Sequence, residues 1–249
     1  MYYNFNNIES SKIFHFDTIP STNTFLMEQG KCGAESWTIA VADSQSAGRG
    51  RMGRCFESQD CSGLYMSVLL RDITNFEPSM LTIITSVCVC HAIEQLTDKT
   101  VDIKWVNDIY FKGKKVCGIL TEGAFEDNKL SYAVIGIGLN ISPPKNGYSD
   151  SIKDIAGSVF NSYSDELRDK IANMIIQNLK NSINHYKHDY IYKEYVGRSC
   201  VIGKKVKVLG CGESYDATVK EILSDFSLKV VDDYGIVKVL KSGEVSLKI

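Results

Sequence analysis

Residues 46–54 read "SAGRGRMGR", three arginines and three glycines in nine positions. The whole chain carries 28 Lys+Arg against 30 Asp+Glu, a formal charge of −2. Positive charge is therefore concentrated on one pliable stretch of a slightly acidic chain. Glycine lets main-chain N–H groups approach a ligand, and arginine presents a planar fork of donors to phosphate or carboxylate. Alone, the stretch reads equally as an anion cradle or as an exposed loop with incidental charge.

The rest of the composition narrows the field. At 249 residues, 44% hydrophobic and 23% charged, the chain has the make-up of an ordinary globular protein of one or two domains. No global basic field exists, so broad nucleic-acid binding is disfavoured and an anion site must be local. The opening "MYYNFNNIES" has no basic region followed by an apolar core, and the apolar stretches read as too interrupted for a membrane span. Eight cysteines without an export signal suggest reduced thiols and a cytoplasmic setting. Cys88, Cys90 and His91 crowd together within one apolar run, a pattern of core cysteines rather than metal ligands. His185 and His188 share a helical face, but no partner completes a ligand set, so no metal site is expected.

The basic stretch hangs between two strand-like segments, "SWTIAVADSQ" and "GLYMSVLL". Before it, Ile13, Phe14 and Phe16 suggest a strand, and "PSTN" supplies a turn and N-cap for a helix closing near Gly30. Residues 79–97 read as a helix buried on most sides, and "VDIKW" alternates as a strand. "DIYFKGKKVCGILTEG" is a hairpin pattern with Lys112, Gly113 and Lys114 at its turn, followed by the strand "LSYAVIGIGLNIS". From Ser164 apolar residues recur every three or four positions, predicting an amphipathic helix that breaks near His185. Beyond Gly197 the short strands "CVIGKKVKVLG", "ESYDATVKEIL", "FSLKVVD" and "GIVKVLKSG" suggest a small barrel. Two units follow, 1–195 and 196–249.

"GRGRMGR" lacks the lysine and hydroxyl of a Walker loop, and Gly197 and Gly203 with Lys204 are one residue too far apart for one. "GIGLN" offers Gly136-x-Gly138, but Ile141 stands where a dinucleotide fingerprint needs a small residue. It marks instead a strand that another backbone or a ligand approaches closely. "KWVNDIYFKGKKVCG" puts Lys104, Asn107, Asp108 and Lys115 near strand ends, where both hairpin arms can aim into one cavity. A lysine there can stabilise developing phosphate charge, although "KGKK" also fits a solvated turn.

Taken together, "STN" at 21–23, "SAGRGRMGR", "KWVND" with Lys115, "GIGLN" and the terminal "SGEVSL" occur in an order and spacing that resemble the biotin–protein ligases, over roughly 13–249. The resemblance implies an α+β fold: a mixed β-sheet with flanking helices related to class II tRNA synthetases, then a C-terminal SH3-like barrel. It implies that biotin and ATP form biotinyl-5′-AMP and pyrophosphate, with Mg²⁺ required. The biotinyl group then passes to a lysine on the carrier domain of a biotin-dependent carboxylase. By position, Ser21, Thr22, Asn23, Gln45, Arg49, Gly50, Arg51 and Lys115 match the biotin site, and Arg49, Arg51, Arg54, Asn107, Lys115 and Asn140 the ATP and adenylate site. Lys115, Arg51 and Asp108 are the implied catalytic set, Asp108 acting on the incoming lysine. Gly118, Gly136 and Gly138 would allow close approach to the ligand. The basic loop would admit both substrates and then close over the reactive anhydride.

Three departures stand out. The family often has Pro where this chain has Val106, and Trp where it has Phe56. Only 20 residues precede Ser21, too few for the DNA-binding domain that some members carry, so a ligase without repressor function is expected. Homodimerisation occurs in the family, and no membrane or DNA partner is implied. The rivals are a lipoate or octanoate ligase of shared fold, a non-catalytic biotin-responsive regulator, and a nucleic-acid-binding module, which the −2 charge disfavours.

Overall fold

A computed structural model describes residues 12–73, 75–209, 214–241 and 243–247. Its first sheet contains β1 (Ile13–Ile19), β2 (Thr38–Gln45), β3 (Gly63–Arg71), β4 (Asp102–Lys104), β5 (Asp108–Phe111), β6 (Lys114–Glu126) and β7 (Lys129–Asn140). The order is β1-β2-β3-β7-β6-β5-β4. Only β1–β2 is parallel and every other pair is antiparallel, so the sheet is mixed.

Both faces of this sheet are covered, and strand alternation assigns each residue to one of them. Ile39, Val41, Val68, Leu70, Ile135 and Ile137 join the core cluster that includes α2 (Pro78–Leu96) and α3 (Asp165–Asn184). Ala40, Leu69, Tyr132 and Val134 pack with Leu26 of α1 (Thr22–Lys31) on the opposite face. That second face continues along paired residues Ser67↔Gly136↔Leu120 and Tyr65↔Gly138↔Gly118. The α1 face thus loses bulk where the glycines fall, leaving space above the sheet.

Local chemistry explains the helices. Ser21 caps α1 by accepting the Thr24 N–H, and Ser164 caps α3 by accepting from Leu167 N, with Asp165 and Glu166 in the first turn. Pro78 starts α2 without losing a helical hydrogen bond. This helix corrects the expectation that no apolar stretch reaches membrane-span length: it has 19 residues, and an 18-residue stretch of it has mean hydropathy 1.4. It is a core helix, with 67% of that stretch buried inside the protein, because it lies between the sheet and α3. Cys88 and Cys90 are buried in it, as the sequence suggests, and burial pushes the Cys88 thiol up to about 12. All seven described cysteines are free thiols.

The amphipathic pattern does break at His185, which caps α3, and a separate α4 runs His188–Gly197. His185 and His188 therefore do not share a helix face; His188 stacks on Tyr192 and meets Tyr186 edge-on. At the hairpin turn, Lys112 and Gly113 both have positive φ, whereas Lys114 already belongs to β6. A backbone that twists left at two consecutive positions closes the tight turn.

After α4 a second, antiparallel sheet forms from β8 (Lys205–Leu209), β9 (Tyr215–Ile222), β10 (Leu228–Asp232), β11 (Val237–Leu240) and β12 (Glu244–Leu247), ordered β11-β10-β9-β8-β12. Its first strand starts at Lys205, not Cys200, because Cys200 N instead donates to Ile103 O of β4. Gly210 and Glu213 of the expected strands, and Ser242 of "SGEVSL", lie outside the described residues. The apolar core passes without interruption from the first sheet into Val206, Val219, Leu228 and Val230 of the second.

Candidate active site

A cavity of about 220 Å³ opens above the glycine-thinned face. Ser21, Thr22 and Asn23 enter it from the start of α1, and Gln45 from the end of β2. The basic loop brings Arg49, Gly50, Arg51 and Arg54; Asn107, Asp108 and Lys115 come from the β5–β6 hairpin region, and Gly118, Gly136, Gly138 and Asn140 from the floor. Every residue that the resemblance places at the biotin or adenylate site thus borders one space, although they are spread over 120 positions from Ser21 to Asn140. Five basic residues, Arg49, Arg51, Arg54, Lys104 and Lys115, line the cavity against two acidic ones, Glu57 and Asp108, with Glu122 paired to Arg49 behind the lining. That imbalance suits a polyanion.

One end of the cavity is a neutral hydrogen-bonding cluster. Thr22 N donates to Gln45 Oε1 at 2.9 Å, and Gln45 Nε2 donates to Ser58 Oγ at 2.8 Å. Thr22 Oγ1 lies 2.7 Å from Ser67 Oγ, which donates to Asn23 Oδ1 at 2.6 Å. Asn23 Nδ2 in turn donates to Glu122 Oε2 at 3.0 Å. A Cβ on Gly136 would stand 2.1 Å from Asn23 Oδ1, and one on Gly138 would stand 2.6 Å from the Phe56 ring. The close approach that "GIGLN" signals is thus made, in this structure, by two protein side chains, each of which borders the cavity.

The charged end is cross-linked. Lys115 Nζ is 2.7 Å from Asp108 Oδ1. Arg51 donates to Asn107 Oδ1 and to Gly243 O, both at 3.0 Å, and so ties the basic loop to the hairpin region and to the residue preceding β12. Arg49 forms a two-pronged pair with Glu122, at 2.9 and 3.1 Å. The loop itself folds back through Gly50 N donating to Arg54 O and Phe56 N donating to Gly48 O, with Met52 exposed at its tip. Beside Lys115, burial pushes the Cys117 thiol far above its ordinary range, which leaves it inert as a nucleophile.

The second sheet and α4 brace "KWVND" from behind. Trp105 Nε1 donates to Phe226 O at 2.9 Å, and Tyr195 Oη donates to Val106 O at 2.9 Å. Among the described residues, the one group with the make-up of a metal site is His15, Asp17 and Asp43, none of which borders the cavity.

The sequence model of the biotin/lipoate A/B protein ligase family matches residues 15–140, half of the chain. The chain belongs to this family. In this biotin/lipoate ligase family member the match ends at Asn140, the last residue of the cavity floor. A bifunctional ligase/repressor BirA of Bacillus subtilis is 42% identical over 148 residues, 59% of this chain and 45% of the relative. The chain spans about half the length of such curated relatives. A biotin–[acetyl-CoA-carboxylase] ligase of Mycobacterium tuberculosis is 26% identical over 236 residues, 90% of this chain and 85% of that one. Among solved structures, the biotin protein ligase of Aquifex aeolicus in complex with biotin and ATP superposes with a TM-score of 0.77 at 28% identity, covering 96% of this chain and 99% of that one. The fold is that of the biotin protein ligases, a mixed sheet flanked by helices with a small β unit at the C-terminal end.

Some residues of this family member escaped the sequence reading. Glu122 follows Gly118 and Leu120 on the same face of β6, so period-two alternation from Gly118 was a signal that could have found it. Ser67 lies opposite Gly136 in the same way. Tyr148, Ile152, Ile155 and Ala156 come from an irregular stretch with no periodicity; Lys115 N donates to Ile155 O at 2.7 Å, and only folding reveals that contact.

Proposed function

We propose that the chain is an ATP-dependent biotin–protein ligase. The observation that carries this reading is the cavity itself. A hydrogen-bonding cluster of Thr22, Asn23 and Gln45 suits a polar uncharged ring, and the basic side chains Arg51, Arg54, Lys104 and Lys115 suit a triphosphate. In the first half-reaction a biotin carboxylate oxygen attacks the α-phosphorus of ATP; the bond to the β-phosphate bridge breaks, and pyrophosphate leaves. Lys115 and Arg51 supply positive charge where the transferring phosphate gains negative charge, which is worth most where water is excluded. Arg49, Arg54, Asn107 and Asn140 hold the nucleotide, and Ser21, Thr22, Asn23, Gln45, Arg49 and Gly50 the biotin, Arg49 serving both.

In the second half-reaction the acceptor lysine attacks the anhydride carbonyl and AMP departs. Asp108 orients that amine or takes its proton, once substrate phosphate has drawn Lys115 away from it. The acceptor is a biotin carboxyl-carrier domain of a carboxylase. Bound to the ATP phosphates, Mg²⁺ would neutralise part of their charge beside Lys115, Arg51 and Arg54. We further propose the division of the chain into a catalytic part, 1–195, and a small barrel, 196–249, a cytoplasmic location, and no DNA or membrane partner.

The test is biotin-dependent exchange of labelled pyrophosphate into ATP, run beside lipoate and octanoate. Exchange with biotin is the expected result. Exchange with lipoate or octanoate in its place would keep the fold and overturn the substrate.

A further inference from the structure

We propose that Ser67 and Glu122, neither of which lines the cavity, are positioning residues that fix the proton direction of the Thr22–Asn23 cluster, so that it receives N–H donors and favours a cyclic urea over a bare acyl chain. This inference rests on the biotin-ligase reading and deepens it.

The available protons fix the direction of each hydrogen bond. Asn23 faces the Leu120 carbonyl and the Glu122 carboxylate at 3.3 and 3.0 Å, and both of those groups only accept. The amide nitrogen must therefore point at them, which turns Oδ1 toward Ser67. Ser67 is fully buried, and its single proton goes to that oxygen across 2.6 Å. Its own oxygen lies 2.7 Å from Thr22 Oγ1, and the only proton left to bridge that gap is the one on Thr22. Gln45 Oε1, at 3.2 Å, is the poorer recipient, and it already accepts the Thr22 N–H. Thr22 therefore has no proton for a ligand and meets it as an acceptor.

The direction is anchored at its far end. The Arg49 guanidinium grips both oxygens of Glu122 and holds the carboxylate against Asn23. A cyclic urea brings two N–H donors to such a site, whereas an octanoyl or lipoyl chain brings none and leaves a buried acceptor unpaired. A site built to pair with a polar group discriminates strongly against analogues that lack it.

The experiment is pyrophosphate exchange by the wild type, Ser67→Ala and Glu122→Leu, with biotin, octanoate and ATP varied in turn. Ser67→Ala is expected to raise the biotin KM about tenfold, with kcat and the ATP KM within about twofold of wild type. The preference for biotin over octanoate should narrow by the same factor. A biotin KM within about twofold of wild type, or a parallel rise in the ATP KM, overturns the proposal. Should Ser67→Ala not fold, Glu122→Leu at the more exposed end of the chain decides: a narrowed biotin preference supports the relay, and an unchanged one overturns it. A wild type without biotin-dependent exchange overturns the ligase reading and the relay together. A wild type that exchanges, with both variants unaffected, overturns the relay alone.

Discussion

Lys115 Nζ stands 2.7 Å from Asp108 Oδ1 across the hairpin that joins β5 to β6. The same lysine is anchored through its main chain, which donates to Ile155 O and accepts from Gly157 N. The residue assigned to phosphate is thus held at both ends before any substrate arrives, and its partner is the residue assigned to the second half-reaction. A substrate phosphate that takes up the lysine frees the aspartate for the second step.

Removing the lysine separates chemistry from stability. Lys115→Ala is expected to reduce pyrophosphate exchange by about 100-fold or more. It also leaves the mostly buried Asp108 without its cation and should lower Tm by a few degrees, as loss of ~1 kcal/mol does in a chain of this size. The double variant Lys115→Ala/Asp108→Asn should regain most of that Tm and none of the activity. Thermal melts beside exchange assays check both statements; exchange by Lys115→Ala at wild-type rate would remove the lysine from the mechanism.

Arg51 links the basic loop to Asn107 and to the main chain before β12. Losing it unfastens the loop from both sides of the cavity, so Arg51→Ala should release biotinyl-adenylate into solution about tenfold faster, while the melting curve stays near wild type. Quench-flow with labelled ATP measures the released adenylate. Retention as long as in the wild type would show that the loop closes without this arginine.

Acid should loosen the joint between α2 and α4. Burial would push Glu194 up, but its hydrogen bond with His91, at 2.6 Å, and the Arg198 guanidinium outweigh that and hold the carboxyl below its ordinary value of 4.5. A carboxyl lowered in the folded state stabilises the fold above its unfolded value and loses that contribution as the pH falls through the lowered one. Wild type should therefore exceed Glu194→Gln in Tm at neutral pH, and the two curves should converge below about pH 4. Parallel curves down to about pH 3 would show that the cluster does not couple to folding.

Much of the site was legible before folding because it is carried by short stretches. "STN", "SAGRGRMGR" and "KWVND" each put several polar groups next to one another in the chain, and local geometry keeps them together. The alternation of Gly136 and Gly138 with Ile135 and Ile137 likewise divides a strand into an open face and a packed one. Glu122 and Ser67 sit on that open face, where the period-two register marks their position but not their partners. Their importance arises from what lies opposite them.

Residue type and spacing by themselves determined the strand and helix segments, the caps at Ser21 and Ser164 and the break at His185, because those follow from hydrophobic period, turn chemistry and local hydrogen bonding; the mixed sheet and the roles of the polar groups came only with the family resemblance that the motifs carry. Tertiary structure alone decided which of these groups touch. It brought Arg49 to Glu122, Arg51 to Gly243 and Lys115 to the chain at Ile155, contacts 73, 192 and 40 positions apart or nearly so in sequence. Such pairings are set by the packing of the sheets and by which face each strand presents, and no local stretch encodes them. The same long-range packing turned the span-length apolar helix Pro78–Leu96 into the centre of the core.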